Sequence, residues 1–306
     1  RGLGDVYKRQ IVDIDADLLD DLGMTSMQIM QLPMEVEIFG LYISVDDIYR
    51  YRTIRKIVQN HSMSLSYWFN EPLPGKPVLV IISGYTSFAF LYSAFAKALS
   101  DKYSIYVFES YHDYPEELRS STSELVDYYL EVLLPIVRQY GVDVITGFCL
   151  GGELGLLLAH ELYNKASILP HVVVLDGEVG RSKSEDEVVP LYFDFFSDEI
   201  NAKRNKLDMR LIETIPDFRY EGEVTSILSK HFMSDISPFS KRLVVTEMHK
   251  KYAKIFFDRA AEYWQMYYPD CHIMYVNADH WSFLRFPESL KPCLLYTSDA
   301  ADDLTR

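Results

Sequence analysis

The sequence predicts an α/β protein: a doubly wound, largely parallel sheet over residues 78–292, preceded by a small helical segment. Three observations carry this. Val78–Ile82, Ile105–Phe108, most of Val142–Phe148, Val172–Leu175 and Cys271–Ala278 are apolar runs rich in β-branched residues, without polar alternation. Such runs suit strands buried on both faces of a parallel sheet. Helical patterns separate the first four runs, at roughly 88–100, 121–140 and 150–166, and strand–helix alternation is the signature of this class. Finally, residues 61–77 carry three prolines, as a linker between two textures would.

Taken in order, residues 11–60 are acidic and helical in pattern. Ser26 opens a stretch with Met27, Ile29, Met30 and Leu32 on a helical period, continued by Val36, Ile38 and Phe39. Gly40 ends it as a C-terminal glycine does, and Pro33 is expected to kink it. Val45–Tyr49 and Thr53–Val58 predict two short helices. Beyond the linker, Ser121-x-x-Glu124 reads as a capping box opening the helix at 121–140. After Asp176 the alternation lapses until Cys271, far beyond a usual connection of about 2–6 residues. That interval, about 181–268, holds aromatic residues (Tyr192, Phe193, Phe195, Phe196) and a helical pattern through Val244, Met248, Tyr252, Ile255, Phe256 and Tyr263. Most of these side chains are expected to pack as core, and the whole to form a helical lid over the strand ends.

Composition narrows the function classes. The 306 residues carry a net charge of −15, which disfavours nucleic acid and anionic membrane as partners. No apolar run approaches the roughly 18–20 residues of a membrane span, and no apolar signal core opens the chain. Three widely spaced cysteines make no disulfide framework, so a cytoplasmic location is expected. Residues 1–10 and 293–306 resemble translated sequencing adapter, and are set aside from the fold reading as tails flanking a truncated natural segment, 11–292.

Residues 146–155, TGFCLGGELG, place Cys149 in a Gly-x-Cys-x-Gly frame between a predicted strand and a predicted helix. This is the context of a nucleophile elbow, in which glycines relieve a tight turn and the following helix N-terminus favours a thiolate. A buried, inert cysteine is the alternative. The backbone N–H of Leu150 would face an oxyanion, with a second donor from Gly84 or Tyr85 in the loop after the first predicted strand. His280, just beyond the last strand, is the candidate base, whereas His160 and His171 are expected to be structural. Asp176 ends the next strand after the elbow and is the candidate orienting acid, with Asp279 as rival and helix capping as its alternative role.

With these motifs in place, residues 77–292 resemble the thioesterase domains that end nonribosomal peptide and polyketide synthetases, which are α/β-hydrolases. The likeness lies in the elbow, the acid after the next strand, Asp279-His280 followed by aromatics, and the long lid. Most of that family carries serine where Cys149 stands. Residues 11–60 resemble the last three helices of an acyl or peptidyl carrier protein. Asp20–Met27 (DDLGMTSM) is similar to the modification motif, and Phe39-Gly40 and Ile48–Ile54 continue the likeness. The resemblance implies that Ser26 bears 4′-phosphopantetheine, although Ser26 or Thr25 capping a helix is the plainer role. It further implies a phosphopantetheinyl transferase, upstream synthetase modules in cis, and an acyl or peptidyl substrate released by hydrolysis or cyclisation. An inactive carrier and docking module, or a free-standing cysteine hydrolase of esters or lactones, are the competing expectations.

Overall fold

The computed structural model describes residues 13–37, 43, 48–49, 51–60, 65–84, 92–177, 199–231, 260–280 and 283–285. The expected helix end at Gly40, most of the helix at Val45–Tyr49, the aromatic group at 192–196, the pattern from Val244 to Phe256, and both tails lie outside these residues. The chain divides into two compact units, Arg1–Ser64 and Leu65–Arg306.

In the smaller unit, α1 spans Ser26–Glu37 and α2 spans Ile54–Asn60. Pro33 lies inside α1, which continues through it. Leu18, Ile29, Ile48 and Ile57 are buried together, with Met24, Leu32 and Tyr51 packed against them. Arg52 grips Asp17 in a bidentate pair at 2.8 and 2.9 Å, and the guanidinium holds that carboxyl well below its usual range. The turn at 17–22 thereby meets the start of α2, where Asp17 also bridges Thr53.

The larger unit is built on a seven-stranded sheet among the described residues: β1 (Ser66–Trp68), β2 (Val78–Ile82), β3 (Ser104–Phe108), β4 (Val144–Phe148), β5 (His171–Leu175), β6 (Val224–His231) and β7 (His272–Asp279). The spatial order is β1-β3-β2-β4-β5-β6-β7. β1 runs antiparallel to β3, and every other neighbouring pair is parallel. Helices α3 (Ser93–Leu99), α4 (Thr122–Tyr140), α5 (Leu150–Ala166) and α6 (Glu199–Glu213) accompany it. All five residues of β2, β3 and β5 are buried. Val78, Val80 and Ile82 point into one apolar cluster with α4 and α5, and Leu79 and Ile81 into another with α3. Each such side chain contributes about 1.5–3 kcal/mol. The unalternating runs follow from this double burial. The N-cap half of the expected capping box forms, with Ser121 Oγ accepting from the Glu124 N–H at 3.3 Å.

Two readings are corrected. Part of the stretch read as linker, 61–77, is β1 at the edge of the sheet. Its Trp68 packs edge-on against Tyr106, and Ser66 shares a hydrogen bond with Tyr106 Oη. Three prolines and a three-residue strand mask this contribution in the sequence. The span 181–268, read wholly as lid, contains β6, which lies between β5 and β7. Thr225, Ser226 and Ser229 are buried within β6 and interrupt its apolar character, so it lacks the texture of its neighbours.

Chain order and spatial order diverge at β2. From there the chain crosses to β3 on one side, then returns to β4 on the other. The C-terminal ends of β2 and β4 therefore flank a topological switch point, where open α/β sheets bind ligands.

Candidate active site

Cys149 sits at that switch point. It follows β4 directly and caps α5, with φ 54° and ψ −123°. A side-chain-bearing residue adopts such a backbone only when its surroundings enforce it, at about 1–3 kcal/mol. Here its N–H donates to Leu175 O at 2.9 Å, and its carbonyl accepts from the Gly152 N–H at 3.0 Å. Tyr92 adds a brace: its hydroxyl donates to Ile82 O at 3.2 Å and accepts from the Phe148 N–H at 3.0 Å, tying β2 to the elbow. The turn is too tight for side chains. A Cβ on Gly147 would collide with Gly151 C and O, and one on Gly151 would lie 2.5 Å from Ile82 O and 2.9 Å from Gly84 N. The Gly84 amide is thus beside the elbow, and Leu150 opens α5 immediately after Cys149. Tyr85, the other expected donor, lies outside the described residues.

Asp176 and His280 reach the same rim. Asp176 follows β5 at φ 46°, a left-handed conformation that aspartate tolerates. Its Oδ2 lies 2.7 Å from His280 Nδ1. Both side chains are buried. Burial alone pulls the His280 pKa down. Hydrogen bonds to Asp176 and to Cys149, and the charges of both, outweigh burial and push it up to about 9. The His280 ring also stacks on Phe148, with centroids 4.6 Å apart. Of the two carboxylates considered for the imidazole, Asp176 is the one bonded to Nδ1. His171 lies at the opposite end of β5, and His160 pairs with Asn164 on α5.

Ser229, which sequence reasoning missed, completes the arrangement. Its N–H donates to Asp176 Oδ1 at 2.6 Å and its hydroxyl to Oδ2 at 2.8 Å. Asp176 therefore accepts from three groups, which fix its carboxylate behind the imidazole. Trp264 Nε1 further ties Gly177 O at 3.0 Å. The array comprises a thiol at a strained turn, an imidazole in contact with it, and a carboxylate fixed behind the ring. Chemically, it can support nucleophilic attack with proton transfer.

In the smaller unit, Ser26 is the first residue of α1. The cap is made by its neighbour: Gln28 Oε1 accepts from the Thr25 N–H at 2.9 Å, and the Gln28 N–H donates to Thr25 Oγ1 at 3.4 Å. That is a reciprocal capping box. Leu22 and Met27, on either side of Ser26 in sequence, are exposed.

Comparison with known proteins agrees with this division. Residues 3–60 match the family model described as "Phosphopantetheine attachment site", a match that begins within the segment set aside as a tail. The N-terminal segment is accordingly a carrier domain, of the kind that bears a covalent 4′-phosphopantetheine on a serine. No curated protein matches the chain in sequence. Among solved structures, the chain is similar to a four-domain nonribosomal peptide synthetase in its holo form, bound to AMP and glycine. That likeness has a TM-score of 0.56 and 12% identity, covering 94% of this chain and 24% of that one. The chain thus spans about a quarter of that synthetase. It is also similar to the NocB thioesterase domain in covalent complex with a fluorophosphonate nocardicin G analog (TM-score 0.52, 13% identity, covering 75% of this chain and 99% of that one). A third relative is an α/β hydrolase from the metagenome of lagoon sediments at Mar Chica, Morocco (TM-score 0.52, 15% identity, covering 78% and 95%). These likenesses show the fold: a carrier domain is followed by a domain with the α/β-hydrolase architecture shared by thioesterases and esterases. No helix among the described residues is long and apolar enough to cross a membrane.

Proposed function

We propose that the chain is the carrier and releasing thioesterase of a nonribosomal peptide or polyketide assembly line, with Cys149, His280 and Asp176 as catalytic residues and Ser26 as the attachment site. The observation that supports this most is the contact of His280 with both Asp176 and Cys149 at the switch point, where the thiol sits on a strained strand-to-helix turn. Ser26 fits the attachment role: it stands in the first turn of α1 among exposed residues, and Thr25 supplies the cap. When installed, the arm supplies a thiol that carries the acyl chain as a thioester.

The chain's own residues do the rest. His280, cationic up to about pH 9, and the N-terminus of α5 stabilise the Cys149 thiolate. The sulfur attacks the acyl carbonyl, and the negative charge on oxygen is received by the backbone N–H of Leu150 and by that of Gly84 or Tyr85. The tetrahedral adduct collapses, the carbon–sulfur bond to the arm breaks, and the His280 proton goes to the departing thiol. Asp176 keeps the ring oriented throughout, and is itself held by Ser229. In the second half-reaction His280 takes a proton from water, or from an amine or hydroxyl of the acyl chain, and the product leaves Cys149. Exchange of one thioester for another is close to balanced, so the acyl group stays activated on cysteine. Attack by a group of the chain itself is therefore as accessible as hydrolysis. Cys149 is 1% exposed, so acylation requires the covering chain to give way.

The test uses the full chain, a phosphopantetheinyl transferase and an acyl coenzyme A, read by intact mass and peptide mapping. Acyl-pantetheine is expected on the peptide containing Ser26, followed by acyl on the peptide containing Cys149. Cys149→Ala should retain the acyl group on the arm, and Ser26→Ala should take no arm. A loaded Ser26 that never passes its acyl group to Cys149 would identify an inactive module instead. An unmodified Ser26 with Cys149-dependent cleavage of small thioesters would identify a free-standing hydrolase.

A further inference from the structure

Across the switch point from His280, a second buried group of polar side chains joins the loop after β3 to helix α6. The Tyr111 hydroxyl donates to Asp208 Oδ1. His112 Nε2 lies 3.0 Å from the same oxygen, and His112 Nδ1 lies 3.1 Å from Ser110 Oγ. The rings of Tyr111 and His112 pack with centroids 4.5 Å apart. Ser110, Tyr111, His112 and Asp208 are all buried. One turn further along α6, Thr122 at the start of α4 donates its hydroxyl to Leu211 O at 2.6 Å, and its N–H to Thr214 Oγ1 at 3.0 Å.

Asp208 is an unusual choice for its place. Its neighbours on α6, Leu207, Leu211 and Ile212, are buried apolar side chains, and an aliphatic residue at 208 would continue their face. Taking a carboxylate out of water costs several kcal/mol, and its partners repay that only in one geometry. An apolar face tolerates sliding and rotation; a carboxylate that must meet Tyr111 and His112 does not. Tyr111 belongs to the same buried cluster as Cys149 and Leu150, so the register of α6 bears on the wall of the site.

We propose that Asp208 is a positioning residue: it registers helix α6 on Tyr111 and His112, and so fixes the side of the Cys149 site that faces away from His280. On the acyl-transfer reading above, that side receives the acyl portion of the thioester. A wall displaced by about an ångström misplaces the carbonyl and slows attack far more than it weakens binding.

The test compares Asp208→Leu, Asp208→Asn and Tyr111→Phe with the parent in the full chain, by hydrogen exchange of the amides at 207–213 and by kcat and KM for an acyl-pantetheine thioester. Asp208→Leu is expected to speed exchange there about tenfold or more. It is also expected to lower kcat about tenfold while changing KM less than about twofold. Asp208→Asn, which still accepts from Tyr111, should recover most of both effects, which a merely space-filling role would not produce. If Asp208→Leu fails to fold, Tyr111→Phe, which removes only the hydroxyl, carries the test in the same direction. Exchange at 207–213 matching the parent in every folded variant would overturn the proposal. A parent that never acylates Cys149 would remove the thioesterase reading, and the exchange arm would still decide the register of α6.

Discussion

Cys149 and His280 form a coupled pair whose behaviour is set by opposing forces on one ring. Burial lowers the His280 pKa, whereas the hydrogen bonds to Asp176 and Cys149 raise it, with a net result of about 9. Cys149→Ser removes the ionisable partner and Asp176→Asn the stronger one, so NMR titration of the ring is expected to show lower values in both variants, lowest in Asp176→Asn. The folded value exceeds the unfolded value of about 6.5. The stability that Asp176 confers through His280 is therefore fully present below about pH 6.5 and lost as pH rises through about 9. Urea unfolding of parent and Asp176→Asn should converge across that window, and a ring titrating near 6.5 in the parent would contradict the assignment. At this scale the sequence is informative where chemistry is local. Cys149 lies in a recognisable frame, and Asp176 and His280 each follow an apolar run. Ser229 and Tyr92 carry no such mark, because Asp176 lies 53 residues from Ser229 and the elbow residue Phe148 lies 56 from Tyr92.

At the scale of elements, the elbow is a packing problem that glycine solves. The nearest atoms to a Cβ on Gly151 belong to the backbone of Ile82 and Gly84, which cannot rotate aside. Gly151→Ala is expected to destabilise the larger unit by about 2–3 kcal/mol or more, within the range for overpacking, as measured by chemical denaturation. A loss under about 0.5 kcal/mol would mean that β2 and α5 are not in this contact. The helices α4 and α5 and strands β2 to β5 were legible because continuous apolar runs and helical periods are local properties. β6 was not, since its buried Thr225, Ser226 and Ser229 read as polar, and neither was β1, three residues within a proline-rich stretch.

For the whole molecule, two units have separate apolar cores: a carrier domain and a domain of α/β-hydrolase architecture. At the N-terminal end of β5, opposite the site, His171 is buried with Nε2 2.9 Å from Thr225 Oγ1. Burial lowers its pKa, Glu223 pulls it back up, and His272 lowers it further. The net shift is downward, so the folded unit holds His171 neutral. Stability is present above the unfolded value of about 6.5 and falls as pH drops below it. The larger unit is expected to lose stability as pH falls below about 6.5, and His171→Gln to flatten that dependence in urea unfolding. An unchanged slope would exclude His171 as its source.

By itself the sequence determined the doubly wound class, the glycine-framed strand-to-helix turn at Cys149, the acidic residue and the histidine that follow their strands, and the motif around Ser26. Each is written in a short run of residues whose geometry is local. Only the tertiary structure decided the order of the strands, the place of β6 in the sheet, the choice of Asp176 over Asp279 as the partner of His280, and the supports supplied by Ser229, Tyr92 and Asp208. The physical reason is separation: the His280–Asp176 bond spans 104 residues and the Tyr111–Asp208 bond 97. Such contacts are chosen by the packing of the whole sheet, which no window of the sequence contains.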